Sequence, residues 1–81
     1  MKTSPNPFTE KISVQFNSNH NGNAEIRIAS IAGTILLNKQ IAINKGNNNL
    51  YIDGLASLTP GVYVARLIVN GEVIDTKKII K

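Results

Sequence analysis

Few residue types in this sequence could perform catalysis, and none of them is spaced for it. The only histidine, His20, lies within an Asn-rich stretch, where an imidazole is far more often solvated than a general base. The chain has no cysteine to act as a nucleophile, and it contains neither a Gly-x-Ser-x-Gly elbow nor a Gly-rich phosphate-binding loop. We therefore expect a protein that is not an enzyme.

The acidic residues form neither a catalytic pair nor a metal site in the sequence. No two of them have the pairing that acid–base hydrolysis needs, and Glu25 shares one side of an extended segment with Arg27, as an ordinary surface ion pair does. Calcium binding by Asp53 and turn carbonyls is an alternative, although the dense acidic spacing of a dedicated calcium loop is missing. Cys-ligated zinc is excluded, so we expect no cofactor. The five carboxylates are Glu10, Glu25, Asp53, Glu72 and Asp75.

Composition indicates one folded domain that does not bind nucleic acid. The chain has 81 residues, of which 42% are hydrophobic and 17% are charged, as in a globular module. The net charge is +4, but the lysines are scattered except at Lys77, Lys78 and Lys81. Aromatic residues are 5% of the chain, too few for a base-stacking surface. The lysines are therefore expected to keep a small domain soluble.

The hydrophobic pattern is that of short β-strands separated by turns. Apolar residues alternate with polar ones in most segments, whereas the neighbours Ile35, Leu36 and Leu37 predict a bulge or a segment covered on both faces. Asn- or Gly-containing stretches at 17–23, 30–33 and 44–49 predict turns, and Asn70–Gly71 favours a type I′ hairpin. This spacing predicts an all-β fold, a small antiparallel immunoglobulin-like β-sandwich of six or seven strands with Greek-key connections. The predicted strands are Lys11–Phe16, Ala24–Ala29, Thr34–Ile43, Leu50–Asp53, Val62–Val69 and Glu72–Lys81.

The segment before the last two strands predicts how one end of the core is closed. Gly54–Gly61 is expected to be a loop with one short 3₁₀ turn, in which Leu55 and Leu58 close the core. Tyr63 follows Pro60–Gly61 at the start of a strand, where its hydroxyl could bond loop backbone as a tyrosine corner does. The structural role is therefore preferred over ligand contact for this tyrosine.

The first nine residues have the composition of a linker. Pro5 and Pro7 fix their own φ angles and push the preceding residues into extended conformations. We therefore divide the chain into an N-terminal arm or linker, residues 1–9, and a β-sandwich, residues 10–81.

Several stretches, in this order, together resemble the C-terminal sorting domain of the type IX (Por) secretion system of Bacteroidota. The arm contains "PNPF", and "IRIASIAGTIL" corresponds to a strand, a turn and a glycine of the family. "KGNNNLYIDGLASLTPGVYVARL" is the closest match, and "NGEVIDTKKIIK" ends the chain as family members end. The matching positions are Pro5, Asn6, Pro7, Gly33, Gly46, Asp53, Gly61, Tyr63 and Gly71. Where the family often has an aromatic residue, Asp and Arg around Gly33, this chain has Ala29, Ser30 and Thr34.

The resemblance implies an export signal and not a catalyst. It implies that the domain is fused to the C-terminus of a cargo, that residues 1–9 come from the cargo's linker, and that an ordinary signal peptide takes the protein to the periplasm. The outer-membrane translocon then recognises the folded domain. A surface sortase usually removes it, and the cargo is often attached to lipopolysaccharide at the cell surface.

The last strand is the first candidate for recognition. If it lies at a sheet edge, its backbone could accept a partner strand and its lysines could add charge steering. In the alternative, the lysines only protect an edge from aggregation. The "PNPF" arm could be bound as an extended peptide, but packing of Phe8 on the core is favoured for it. The recognition candidates are Lys77, Lys78, Ile79, Ile80 and Lys81.

Two other functions remain open from the sequence. A carbohydrate-binding or adhesion module usually exposes aromatic rings, but the chain has no Trp, and Tyr51 is its only uncommitted Tyr. A fibronectin-like spacer has no recognition role, and a chain that ends within a strand argues against it.

Overall fold

Seven strands form two antiparallel sheets in the computed structural model, which describes residues 1–81. One sheet has the order β1-β2-β5 and the other the order β4-β3-β6-β7. The predicted all-β sandwich is confirmed. The strands are β1 Lys2–Ser4, β2 Ile12–Ser18, β3 Gly22–Ser30, β4 Ile35–Ile43, β5 Gly46–Ile52, β6 Val62–Val69 and β7 Glu72–Ile80.

The chain crosses between the sheets three times, after β2, after β4 and after β5. As a result β6 returns to lie beside β3, with β4 and β5 between them in sequence, as in a Greek key. The hairpin at Asn70–Gly71 joins β6 to β7 with φ angles of 53° and 79° at its two central residues. Two positive φ angles define the predicted type I′ turn, which matches the twist of the strands it joins.

The core lies between the two inner faces and follows the alternation of the sequence. Fifteen buried residues form one hydrophobic cluster. Each fully buried Ile, Leu or Phe side chain stabilises the fold by about 1.5–3 kcal/mol. The largest fully buried side chains are Phe8, Ile12, Val14, Ile26, Ile28, Ile52, Leu55, Leu67 and Ile79.

Both long hairpins of the four-stranded sheet contain an irregularity. Ala29 pairs with Ile35 and Ile28 with Leu37, which leaves Leu36 as an extra residue and confirms the predicted bulge. A second bulge, at Ile74 in β7, has no signal in the sequence.

The turn predicted at 44–49 is shorter than expected, because β5 begins at Gly46. The Asn48 side chain accepts a hydrogen bond from the Asn44 N–H at 3.0 Å and donates one to the Asn44 carbonyl at 2.8 Å. One amide therefore closes the turn within a few residues, and Asn47–Asn49 are free to pair with β2.

In the 54–61 loop, Leu55 is buried and Leu58 half-buried, and the predicted 3₁₀ segment is a single turn with a Leu58 N–H to Leu55 carbonyl bond of 3.2 Å.

The N-terminal arm is folded onto the sandwich. Residues 2–4 form β1 and pair with β2, and Phe8 is 1% exposed within the core. The Phe8 N–H donates to the carbonyl of Ile80 at 2.9 Å, and Asn6 Oδ1 accepts from the Ile80 N–H at 2.9 Å. The favoured packing of Phe8 on the core is confirmed, and the division of the chain after residue 9 stays a prediction. The origin of residues 1–9 in a cargo stays a prediction.

Candidate recognition surface

The last strand, β7, lies at the edge of the four-stranded sheet and pairs only with β6. Its register with β6 assigns its side chains to two faces. Ile79 and Lys77 lie opposite Tyr63 and Ala65, on the inner side, whereas Lys78 and Ile80 lie on the outer side. The last strand therefore has the edge position that pairing with a partner strand would require, but the five candidate residues do not share one surface.

Two of the five candidates are engaged inside the domain. Ile79 is completely buried in the core. The ammonium of Lys81 donates hydrogen bonds to the carbonyls of Leu55 at 2.7 Å, Ala56 at 2.9 Å and Leu58 at 2.7 Å. Both residues hold the fold together, so the side chains that a partner could contact are Lys77, Lys78 and Ile80, which are all exposed.

Backbone groups on the open edge of β7 already have hydrogen-bond partners at two places in the second half of the strand. Near the end of the strand, both outward backbone groups of Ile80 bond to the N-terminal arm. Further back, the Thr76 N–H donates to Asp75 Oδ1 at 2.8 Å. Because backbone groups alternate in direction along an antiparallel edge strand, the outward groups between these two points belong to Lys78. A partner strand would find only a short open stretch.

The pKa of Asp75 lies below the usual range of an aspartate. The largest cause is the hydrogen bond from the Met1 ammonium, whose nitrogen lies 2.8 Å from Oδ2. The Thr76 N–H also stabilises the carboxylate, while partial burial acts in the opposite direction.

Tyr63 has the geometry of the predicted tyrosine corner. Its hydroxyl donates to the carbonyl of Thr59, four residues earlier in the β5–β6 loop, and lies 3.3 Å from the Thr59 hydroxyl. Its ring packs edge-on against Phe8, with the ring centroids 6.1 Å apart. The tyrosine therefore connects the loop, the core and the N-terminal arm, and it is not available to a ligand.

The remaining family-motif positions lie at turns and strand ends. Gly33 ends the β3–β4 turn, where its N–H donates to the Ser30 carbonyl at 3.0 Å. Gly46 is the first residue of β5, and Asp53 follows that strand and is exposed. Gly61 exchanges two backbone hydrogen bonds with Lys81, of 3.1 and 2.8 Å, so the end of the chain is paired as well. Pro5 and Pro7 flank the bonded Asn6, and Gly71 completes the type I′ turn.

A surface that the sequence analysis missed lies on the outer face of the four-stranded sheet. We call it the apolar strip, and it consists of Ile35, Val62, Val64 and Ile80. The register places Ile35, Ala29, Val64 and Lys78 in one row across the four strands, with Val62 and Ile80 side by side in the next row. A signal existed in β6, because "VYVARLIV" has apolar residues at both alternating sets of positions near its start.

Two of the groups considered for chemistry line one cavity, and two others form an ion pair. His20 and Glu72 line an open cavity of about 340 Å³ at the end of the sandwich, together with Asn17, Ser18 and Asn70. No three His, Cys, Asp or Glu side chains come together where they could hold a metal ion. Glu25 and Arg27 form the expected ion pair, with 2.6 Å between Oε2 and the guanidinium nitrogen.

A comparison with known protein families identifies a family whose model matches this chain. A family model described as a secretion system C-terminal sorting domain matches residues 2–81. The chain belongs to this family, the sorting domains of type IX secretion. The match includes β1 and the rest of the arm. No curated protein and no solved structure matches the chain. Nor does the sorting domain contain a helix with the length and apolarity needed to span a bilayer.

Proposed function

We propose that this sorting domain is a non-catalytic C-terminal export label for a cargo protein fused upstream, and that outer-membrane components of the type IX translocon recognise it in the folded state. The observation that carries the proposal is the family match over residues 2–81. A folded label needs a rigid surface on which to present its features, and the sandwich with its paired chain end supplies one.

The proposed route has the cargo enter the periplasm, cross the outer membrane and reach the cell surface or the medium. A surface sortase then removes the domain. In this scheme the sorting domain is a substrate of both the translocon and the sortase, and its partners are those two machines and its own cargo.

Within the domain we propose the C-terminal half of β7, residues 77–80, as the recognised element. Lys77, Lys78 and Ile80 are its exposed candidates, while Ile79 and Lys81 hold that strand in place. Deleting residues 77–81 is therefore a poor test of recognition. The deletion removes Ile79 from the core and the Lys81 ammonium from three loop carbonyls, together with the exposed candidates. Substitution of the exposed residues tests the same idea in a folded domain.

The experiment fuses a signal peptide, a reporter enzyme and residues 1–81 in that order and expresses the fusion in type IX-competent cells. We expect reporter activity in the medium or on the surface. The matched controls are the reporter without the sorting domain and the complete fusion in translocon-deficient cells, both of which should stay in the periplasm. An intact, folded fusion that stays in the periplasm of competent cells would overturn the proposed function.

A further inference from the structure

We propose that the sorting domain is bound through the apolar strip and Lys78, by a protein surface that presents aliphatic or aromatic side chains next to a carboxylate. This inference rests on the proposed function and assigns the partner's chemistry and the face that it contacts. The contact is made by side chains on the outer face of the sheet and not by a strand added to its edge.

The first reason is the clustering of exposed apolar side chains. Eight large hydrophobic residues of the sorting domain are exposed, and three of them belong to this strip. Their exposed fractions are 53% for Ile35, 39% for Val62 and 43% for Ile80. Single exposed hydrophobic residues are normal on a protein surface, whereas a contiguous group marks an interaction site. Ala29, under the strip, is 1% exposed but lies outside the core cluster, which shows that the outer face has apolar packing of its own.

The second reason is the charge beside the strip. Lys78 lies in the same row as Ile35 and Val64, and Arg66 lies in the adjacent row. Neither cation forms an ion pair or a side-chain hydrogen bond, whereas Arg27, opposite Arg66, is neutralised by Glu25 at 2.6 Å. Two free cations next to an apolar surface complement a partner that carries a carboxylate next to apolar groups.

The third reason is that both edges of the four-stranded sheet are protected. On β7, Asp75 and Lys77 lie on the inner side of the edge strand, and the arm bonds to Ile80. On β4, the opposite edge, Leu36 forms a bulge and Lys39 lies on the inner side opposite Ile26. Bulges and inward charges on edge strands are the usual obstacles to strand addition. Contact with the outer face is made by side chains, so bulges and inward charges on the edge strands do not obstruct it.

The charges also discriminate between possible occupants. A second copy would bring the same two unpaired cations to this face, and its Glu25 is already paired with Arg27, so it would not supply the complementary carboxylate and is disfavoured. Anionic membranes are usually recognised by clusters of about four to eight basic residues, and this face offers two. A protein surface is the remaining occupant that fits both the apolar strip and the small number of cations.

The test uses the reporter fusion with two matched pairs of variants. Lys78→Glu and Lys45→Glu change the net charge equally at exposed residues, but only Lys78 lies on the outer face, whereas Lys45 lies in the β4–β5 turn. The double variant Ile35→Thr with Val62→Thr alters the strip, and Val73→Thr with Ile74→Thr alters residues of similar exposure at the other end of β7. Threonine keeps a β-branched shape in every case.

We expect the Lys78→Glu variant and the strip double variant each to lower the export rate by about tenfold, which corresponds to about 1.4 kcal/mol of lost binding free energy. The two controls should stay within about twofold of the parent, which is below 0.5 kcal/mol by the same constant. Urea unfolding of each purified 81-residue chain checks that the variants remain folded.

The outcomes separate the two proposals. If the parent fusion is not exported, the proposed function fails and this inference fails with it. If the parent is exported and the strip and Lys78 variants are exported as well as the controls are, only this inference is overturned. Equal loss in Lys45→Glu and Lys78→Glu would overturn it in favour of unspecific charge steering. Flotation with anionic phosphatidylglycerol vesicles should show no binding of the 81-residue chain; binding that the strip variants abolish would overturn the choice of a protein partner.

Discussion

Tyr63 shows how a single hydroxyl contributes to this fold. Its bond to the Thr59 carbonyl is partly buried, so removing the hydroxyl leaves that carbonyl without its partner in a site that water reaches poorly. We predict that Tyr63→Phe lowers the free energy of unfolding by about 1–2 kcal/mol, measured by urea denaturation. The matched control is Tyr51→Phe, because Tyr51 is 63% exposed and its hydroxyl has no bond, and a change within about 0.5 kcal/mol is expected. Equal effects in both variants would contradict the tyrosine corner.

Asp75 gives the sorting domain a stability that depends on pH and on what precedes Met1. Its folded pKa is lowered, chiefly by the Met1 ammonium. The carboxylate therefore contributes stability above the pKa of an unfolded aspartate, about 3.9, and that contribution is lost as the pH falls through the lower folded pKa. A chain extended upstream has an uncharged amide at Met1 and loses the main cause of the shift.

We predict that the pKa of Asp75 in the chain beginning at Met1 lies below that in the same chain acetylated at the Met1 nitrogen. An NMR titration of the Asp75 carboxyl carbon in the two chains measures the difference. The acetylated chain should also lose less stability on acidification below about pH 4. Identical titration curves would show that the ammonium does not contact Asp75 in solution.

At the scale of elements, the β5–β6 loop depends on the end of the chain. The Lys81 ammonium binds three carbonyls of that loop, and the Lys81 backbone pairs with Gly61. We predict that Lys81→Met lowers the free energy of unfolding by about 1.5–3 kcal/mol, since hydrogen bonds to charged groups contribute this much and methionine keeps the apolar stem. Lys78→Met, which removes an exposed ammonium without a partner, should change it by less than about 0.5 kcal/mol in the same urea titration. If the two variants unfold alike, the ammonium of Lys81 does not hold the loop.

Sequence patterns locate the strands that have regular alternation and miss those that depend on distant partners. The alternation of Ile12, Val14 and Phe16 and the Asn-Gly turn are local signals, and β2 and the last hairpin lie where these signals predict them. The start of β5 could not be predicted in this way, because asparagines are poor strand formers and are held there by pairing with β2 and by the amide of Asn48. β1 has no alternating pattern and exists because it pairs with β2.

The candidate surface is only partly visible in the sequence for a related reason. The exposed residues Lys77, Lys78 and Ile80 of β7 could be proposed from their position near the chain end. That Ile35 joins Val64 and Lys78 in one row depends on the Leu36 bulge and on β6 pairing with β3, and neither register can be derived from local spacing. The three carbonyls around the Lys81 ammonium likewise come together only in the folded chain. From the sequence, Lys81 could therefore not be distinguished from the exposed lysines.

At the scale of the whole molecule, one lysine connects the edge strands of the two sheets on one side of the sandwich. Lys39 lies on the inner face of β4, and its ammonium donates to the Tyr51 carbonyl at 3.0 Å, on the edge strand of the other sheet. It therefore places a charge between two strand edges and occupies an outward carbonyl of β5. Charged residues that point inward at an edge prevent pairing with a second chain.

We predict that Lys39→Val makes the sorting domain associate. The substitution removes the inward charge, frees the Tyr51 carbonyl and adds a β-branched residue to an edge that already carries Leu37 and Ile41. Sedimentation velocity should then show a mean mass that rises with concentration, while the parent chain stays monomeric. Lys45→Val is the matched control, because it removes an equal charge from an exposed position in the β4–β5 turn, and it should stay monomeric. Association of both variants would mean that net charge, and not the guarded edge, keeps the sorting domain apart from its copies.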